Sequence, residues 1–368
     1  MRIQKVTLRE IRMPMVMRFE TSFGTTTDRR IMLVEVHADG VTGWGECTAG
    51  EEPHYSPETV ETAWHITRDF LWPEIRGKEF GSARDVWGMF CQTRGNNMAK
   101  GALESAIWDA EAKQKGTPLW KLLGGVREEI SSGVSIGIQR TVDELVAAVE
   151  KELAAGYQRI KIKIKPGQEL KPVAALRKRW PNIRLMVDAN SAYTLEDTPL
   201  LKQLDPYGLM MIEQPLGWDD IYSHAKLQKQ LQTPICLDEC IHKYSHALAA
   251  IELGACKIIN MKMGRVGGQL QARRIHDLCQ KSGIPIWCGG MLEAGIGRAQ
   301  NIALSTLENF TLPGDVAASK RYWAEDIIEP EVEVSPKGTI KVPSGPGIGY
   351  QVKLERVEKL TVRRENLV

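Results

Sequence analysis

The chain has 368 residues, 43% hydrophobic and 26% charged, and its net charge of +2 comes from interleaved acids and bases. That is enough for a barrel of about 250 residues and a second region of about 100, with no basic face for nucleic acid and no polybasic run for a membrane surface. The cysteines at 47, 91, 236, 240, 256, 279 and 288 form no CxxC pair, the start Met1-Arg2-Ile3-Gln4-Lys5-Val6 lacks a secretion signal's apolar core, and no apolar run has transmembrane length; together these predict reduced thiols in a cytoplasmic protein.

Residues 1–125 predict an α+β capping domain. Residues 3–13 and 31–37 alternate like strands, and 41–47 continue a meander after the turn at Asp39-Gly40. Between the first two strands, residues 19–27 are small and polar with two aromatics, Phe19 and Phe23, and predict either an exposed connection or a lid. Helical periodicity covers 57–71 and 98–115, where Ala102, Leu103, Ala106 and Ile107 form a packing stripe.

From 126 to 326 the rhythm becomes one strand and one helix in turn. Gly133-Val134-Ser135-Ile136-Gly137 reads as the first strand, and 141–155 as a helix started by a capping box of Thr141 and Glu144. Ile160-Lys161-Ile162-Lys163-Ile164 is the second strand, and four more apolar runs end in Asp188, Glu213, Asp238 and Lys262. From Lys163 these charges follow at intervals of 25, 25, 25 and 24 residues. Residues 285–290 are the seventh strand and 310–315 a degenerate eighth. The tail from 327, with strands at 331–334 and 339–342, is expected to return to the cap.

Near-continuous apolar strands at this spacing predict a parallel sheet covered by helices, closed as a TIM-type (β/α) barrel whose strands deliver their terminal charges to one rim. Alternation puts Lys161, Lys163 and Lys165 on one face and the isoleucines on the other. In a barrel the lysines face inward; an exposed edge strand would have the same pattern. Asp188, Glu213 and Asp238 form an oxygen-only set suited to Mg²⁺, whereas His242 and His246 have no matching acid for zinc. Strands two and six lie opposite each other, so Lys163 and Lys262 would flank a substrate carboxylate. That suits proton removal beside the carboxylate by a lysine whose pKa is lowered by the metal and the second ammonium.

The pattern Lys161-x-Lys163, Asp188-Ala189-Asn190, Glu213-Gln214-Pro215, Asp238-Glu239 and Lys262, followed by Gly264-Arg265-Val266-Gly267-Gly268, resembles the muconate lactonizing enzyme subgroup of the enolase superfamily. Within it the chain is most similar to the o-succinylbenzoate synthase and N-acylamino acid racemase family. The resemblance implies a (β/α)₇β barrel with a capping α+β domain, a cytoplasmic homo-oligomer and a small carboxylate substrate. It implies Mg²⁺, or another divalent cation such as Mn²⁺, on Asp188, Glu213 and Asp238, with Lys163 and Lys262 as acid/base residues. The activities implied are dehydration of 2-succinyl-6-hydroxy-2,4-cyclohexadiene-1-carboxylate in menaquinone biosynthesis and racemisation of N-succinylamino acids. Further candidates for substrate binding or support are Lys161, Ser135, Phe23, Gly290 and Met291. Asn190 and Glu239 either orient the metal acids or serve caps and turns, and Arg265 either tunes Lys262 or faces solvent at a helix start. The run 264–268 is expected to be a tight turn, since it lacks the spacing and lysine of a phosphate loop.

Overall fold

Alternating strands build the capping sheet. β1 (Ile3–Glu20), β2 (Thr25–Ala38) and β3 (Val41–Cys47) form an antiparallel meander, and the C-terminal strand Thr361–Leu367 pairs with the free edge of β1. This computed structural model describes residues 1–22 and 24–368, so the expectation for Phe23 lies outside the described residues. The sequence underestimated the first hairpin. Phe19 pairs with Thr26 and Glu20 with Thr25, so much of the expected loop over 19–27 is ladder. Its arm reaches the barrel mouth, where the Glu20 carbonyl accepts from Ile138 N at 3.0 Å and Ser22 Oγ donates to the Asn190 carbonyl at 3.2 Å.

The helix Asn97–Gln114 packs on this sheet, and its expected stripe of Ala102, Leu103, Ala106 and Ile107 is fully buried. Glycine permits the close approach: a Cβ added to Gly45 would lie 2.0 Å from the Ala102 carbonyl oxygen. The expected helix over 57–71 is instead Val60–Ile66 followed by a π-helical turn, Thr67–Leu71.

Seven parallel strands follow: Val134–Ile136, Ile160–Lys163, Leu185–Asp188, Ile212–Glu213, Ile235–Leu237, Ile258–Met261 and Ile286–Cys288. Each pairs with its sequence neighbour, and helices fill the connections. Residues 310–315 form no strand but complete the ring, because Phe310 bridges Ile286 of the seventh strand and Gly314 bridges Ser132 just before the first. Parity sorts the side chains. Ile160, Ile162, Val187, Ile212, Leu237 and Ile259 pack outward in the large core, while Met186, Met211, Cys236, Ile258 and Trp287 form a separate cluster inside the barrel. Lys161 pairs with Met186 and therefore faces inward, and its strand is hydrogen-bonded on both sides, which rules out an edge.

The tail departs from expectation. Residues 331–334 form no strand, and Thr339–Lys341 pairs with Glu129–Ser131 beneath the barrel rather than with the cap; only Thr361–Leu367 returns to the capping sheet.

Buried glutamates join the cap to barrel helices. Glu46 of β3 accepts from Ala294 N at 2.8 Å and Gly297 N at 2.7 Å, at the start of the helix Gly295–Leu304. Glu104 accepts from Gln269 N at 2.6 Å and Leu270 N at 3.0 Å, at the start of the helix Gln269–Lys281. Helix N-termini present free N–H groups and a positive dipole end, so a carboxylate satisfies both. Instead of the expected tight turn, the run 264–268 is a short helix, Met263–Val266, ended by Gly267 in the left-handed region, and with Glu104 on the helix terminus behind it the run offers no phosphate cradle.

Two tests follow from this packing. Gly45→Ala should destabilise the fold by about 1–3 kcal/mol, whereas Gly88→Ala, whose Cβ meets nothing within 4 Å on an exposed helix position, should be neutral or stabilising by up to about 1 kcal/mol. Thermal unfolding of both variants reads the contrast. Burial pushes the Glu46 carboxyl up to about 8 and that of Glu104 up to about 7. Both lie above the unfolded value, so the folded state holds extra protons, and this contribution is lost as pH rises from about 4.5 through 8. The stability of Glu46→Gln relative to the parent should therefore climb between pH 5 and 9 in denaturant titrations, and a flat difference would contradict the assignment.

Candidate active site

Strand register places the charges. Lys163 is opposite Asp188, Asp188 opposite Glu213, and Glu213 opposite Cys236, so Asp238 stands two residues nearer the mouth. Ile259 is opposite Leu237, which puts Asn260 level with Asp238 and Lys262 two residues higher, about 7 Å along the strand. The acids thus form a rising stair between the two lysines.

Every step of the stair is paired. Lys163 Nζ donates to Asp188 Oδ2 and Asn190 Oδ1, both at 2.6 Å. Lys161 Nζ contacts Asp315 Oδ2 at 2.7 Å, Glu213 Oε2 at 2.9 Å and Asp188 Oδ2 at 3.3 Å, over the Trp287 ring. Lys262 Nζ donates to Asp238 Oδ2 at 2.8 Å and Tyr55 Oη at 3.1 Å, and lies over the Tyr55 ring. Asn190, whose φ is 43°, receives no help from a helix cap. Asn190 makes the turn after the third strand, its N–H donates to Asp188 Oδ1 at 2.9 Å and its Nδ2 to Glu239 Oε1 at 3.0 Å, and neither side chain caps a helix among the described residues. Arg265 is buried, not solvent-facing. It donates to Asp238 Oδ1, to Tyr55 Oη at 3.1 Å and to the Ile241 carbonyl at 2.8 Å. Ser135, opposite Lys161, is buried with its hydroxyl unpartnered among the described residues. Lys165 lies at the rim, 3.8 Å from Glu20.

Burial and charge act against each other here. Burial raises the Asp188 carboxyl, but Lys163 and Lys161 outweigh it and hold the group down at about 2. Burial and then the Asp188 charge push Glu239 up to about 7. Burial pulls the Lys262 ammonium down, but Tyr55, Glu239 and Glu213 hold it above its ordinary value.

Among the described residues no three His, Cys, Asp or Glu side chains stand together as a chelating group. Asp188, Glu213 and Asp238 each turn an oxygen to a lysine instead. Their chemistry nonetheless fits a hard divalent cation: three buried carboxylates from adjacent strands, with Glu239 Oε2 and Asn260 Oδ1 unpartnered beside them.

A cavity of about 400 Å³ opens above the stair, lined by Lys163, Asn190, Lys262, Gly290 and Met291 from the barrel and by Phe19, Arg29 and Tyr55 from the cap. Asp188, Glu213, Asp238, Lys161, Ser135, Glu239 and Arg265 are not among its lining residues. Gly290 is required there, since a Cβ would meet the Asp315 carbonyl oxygen at 2.8 Å. Sequence reasoning missed Asn260, Asp315 and Tyr55. Asn260 shares the face of Lys262 two residues on, and Asp315 ends the degenerate strand, so both carried a signal; Tyr55 arrives from the cap and carried none.

Two family models match the chain: the mandelate racemase / muconate lactonizing enzyme N-terminal domain over residues 3–124 and the enolase C-terminal domain-like family over 144–357. The o-succinylbenzoate synthase of Geobacillus kaustophilus is 54% identical over 98% of this chain and 96% of its own. The N-succinylamino acid racemase of an Amycolatopsis species is 46% identical over 99% of each chain. The crystal structure of an enolase superfamily member from Listeria innocua superposes with a TM-score of 0.97 at 42% identity, covering 100% of this chain and 99% of that one.

Lys161 is shared by three buried acids; without it Asp188 keeps Lys163 at 2.6 Å and Asp315 keeps Arg159 at 2.7 Å, but Glu213 loses its ammonium partner. Lys161→Met should cost about 3–5 kcal/mol in stability, read as a lower denaturant midpoint at neutral pH.

Proposed function

The chain belongs to the mandelate racemase / muconate lactonizing enzyme family of the enolase superfamily, and from that premise we propose that it is an o-succinylbenzoate synthase. The observation that carries this reading is the 54% identity over 98% of the chain to the o-succinylbenzoate synthase of Geobacillus kaustophilus, and the placement of Lys163 and Lys262 on one cavity from opposite barrel strands supports it. The substrate is 2-succinyl-6-hydroxy-2,4-cyclohexadiene-1-carboxylate, which loses water to give o-succinylbenzoate, a menaquinone precursor.

Lys163, with its amine free, takes the proton from the ring carbon that bears the carboxylate. The electron pair left behind moves onto that carboxylate, where the Lys262 ammonium offsets the developing charge from the other face. As the pair returns to the ring, the bond to the hydroxyl breaks, and Lys163 delivers its proton so that water leaves on the same side. The new double bond completes an aromatic ring. Asp188, Glu213 and Asp238 would hold Mg²⁺, which when bound supplies Lewis-acid stabilisation of the substrate carboxylate. Asn190 keeps Lys163 and Asp188 aligned, and Tyr55 and Arg265 do the same for Lys262 and Asp238. No helix of the described residues is long and apolar enough to cross a membrane, and the seven cysteines are free, which supports a cytoplasmic setting.

N-succinylamino acid racemisation is the second reading, favoured by the two-sided lysine pair and the likeness to the Amycolatopsis racemase. One base suffices for a same-side dehydration; racemisation uses both.

Turnover of the cyclohexadiene carboxylate with Mg²⁺ tests the proposal. The parent should form o-succinylbenzoate, chelator should stop it reversibly, and Lys163→Ala and Lys262→Ala should each lose roughly 10²–10⁴-fold in kcat/KM. Absence of product alongside α-proton exchange of both N-succinylamino acid enantiomers in deuterated water would make the racemase the activity instead.

A further inference from the structure

Three arginines of the capping sheet, Arg12, Arg29 and Arg30, line the cavity above the lysine pair. Two are engaged. Arg12 pairs with Asp28 at 3.3 Å and Glu51 at 3.4 Å, and Arg30 with Glu10 at 2.7 Å and Glu61 at 2.6 Å. Arg29 is different. It is only 8% exposed, and its Nε and Nη2 have no hydrogen-bond partner among the described residues.

Nearby acids do not meet that need. Glu46 directs its oxygens to Ala294 N and Gly297 N, and Glu293 directs its own to Met291 N and Asn301 Nδ2. Neither acid therefore takes up an Arg29 donor. Along β2, Arg29 alternates with Ile31 and Leu33, and Leu33 is opposite Glu46, so Arg29 lies on the sheet face that carries Glu46 to the barrel. A buried guanidinium with unmet N–H groups is costly in isolation and well matched to an arriving carboxylate, whose two oxygens fit the guanidinium fork.

We propose that Arg29 receives a second carboxylate of the substrate, remote from the reacting carbon, and so makes the enzyme selective for dicarboxylates. This rests on the reading of the lysine pair as the seat of the first carboxylate. Arg29 is then the cap's specificity residue: it holds the far end of the substrate and leaves the proton-transfer groups untouched.

The test is calorimetric titration, with Mg²⁺ present, of the parent, Arg29→Met and Arg29→Lys. Two ligands are compared: o-succinylbenzoate, and 2-butyrylbenzoate, which keeps the ring carboxylate and ketone but ends in a methyl group. The parent should bind the diacid roughly 100-fold more tightly than the monoacid. Arg29→Met should lose that preference and keep monoacid affinity, with Arg29→Lys between. An equal loss for both ligands, or no loss for either, would overturn the assignment and leave Arg29 a structural residue of the capping sheet. If the parent binds neither acid, the synthase reading fails instead, and the same comparison with N-succinyl- and N-butyrylamino acids decides Arg29.

Discussion

The Lys161 ammonium, buried among Asp188, Glu213 and Asp315, is the interaction on which the catalytic rim depends. Parallel strands of near-equal length bring their terminal acids together, and like charges in a low-dielectric interior would otherwise force one another to take up protons. One inward lysine from the second strand relieves three of them at once. Because Asp315 comes from the segment that closes the ring, the same ammonium also ties barrel closure to the acids of strands three and four.

Above that floor the site divides by origin. Under the proposed function the barrel supplies the groups that would move protons or bear charge at the reacting carbon, all at strand ends. The capping sheet supplies the cover: Phe19 and Arg29 line the cavity, and Tyr55 reaches down to bond Asp238, Lys262 and Arg265. Glu46 and Glu104 dock the cap by satisfying helix N-termini of the barrel, which fixes where these cap residues stand over the lysine pair. Under the proposed function, chemistry and selectivity would then sit on separate units joined by a buried polar seam, so that the cap could change what is bound without disturbing how the proton is moved.

Much of this was legible in the chain. The interval of 24 to 25 residues between terminal charges, and the alternation in Ile160-Lys161-Ile162-Lys163, sufficed to place five charges on one rim with the lysines inward. Both signals are local and periodic, and strand geometry makes period two and the βα repeat unavoidable. Asn260 was readable by the same parity from Lys262. The long hairpin was not, because the polar residues of its arm look like loop until Phe19 and Thr26 are seen to pair. Nor was the tail, whose short strands were equally compatible with pairing on the cap or beneath the barrel.

What the sequence determined alone was the identity and order of the charged strand ends, since these follow from backbone periodicity. Only the tertiary structure decided which charge meets which. Register put Asp238 a step above Glu213, barrel closure brought Asp315 to Lys161, and domain docking set Tyr55 on Lys262 and left Arg29 with open donors. Contacts between residues tens to hundreds of positions apart depend on how whole layers pack, and no local pattern encodes that.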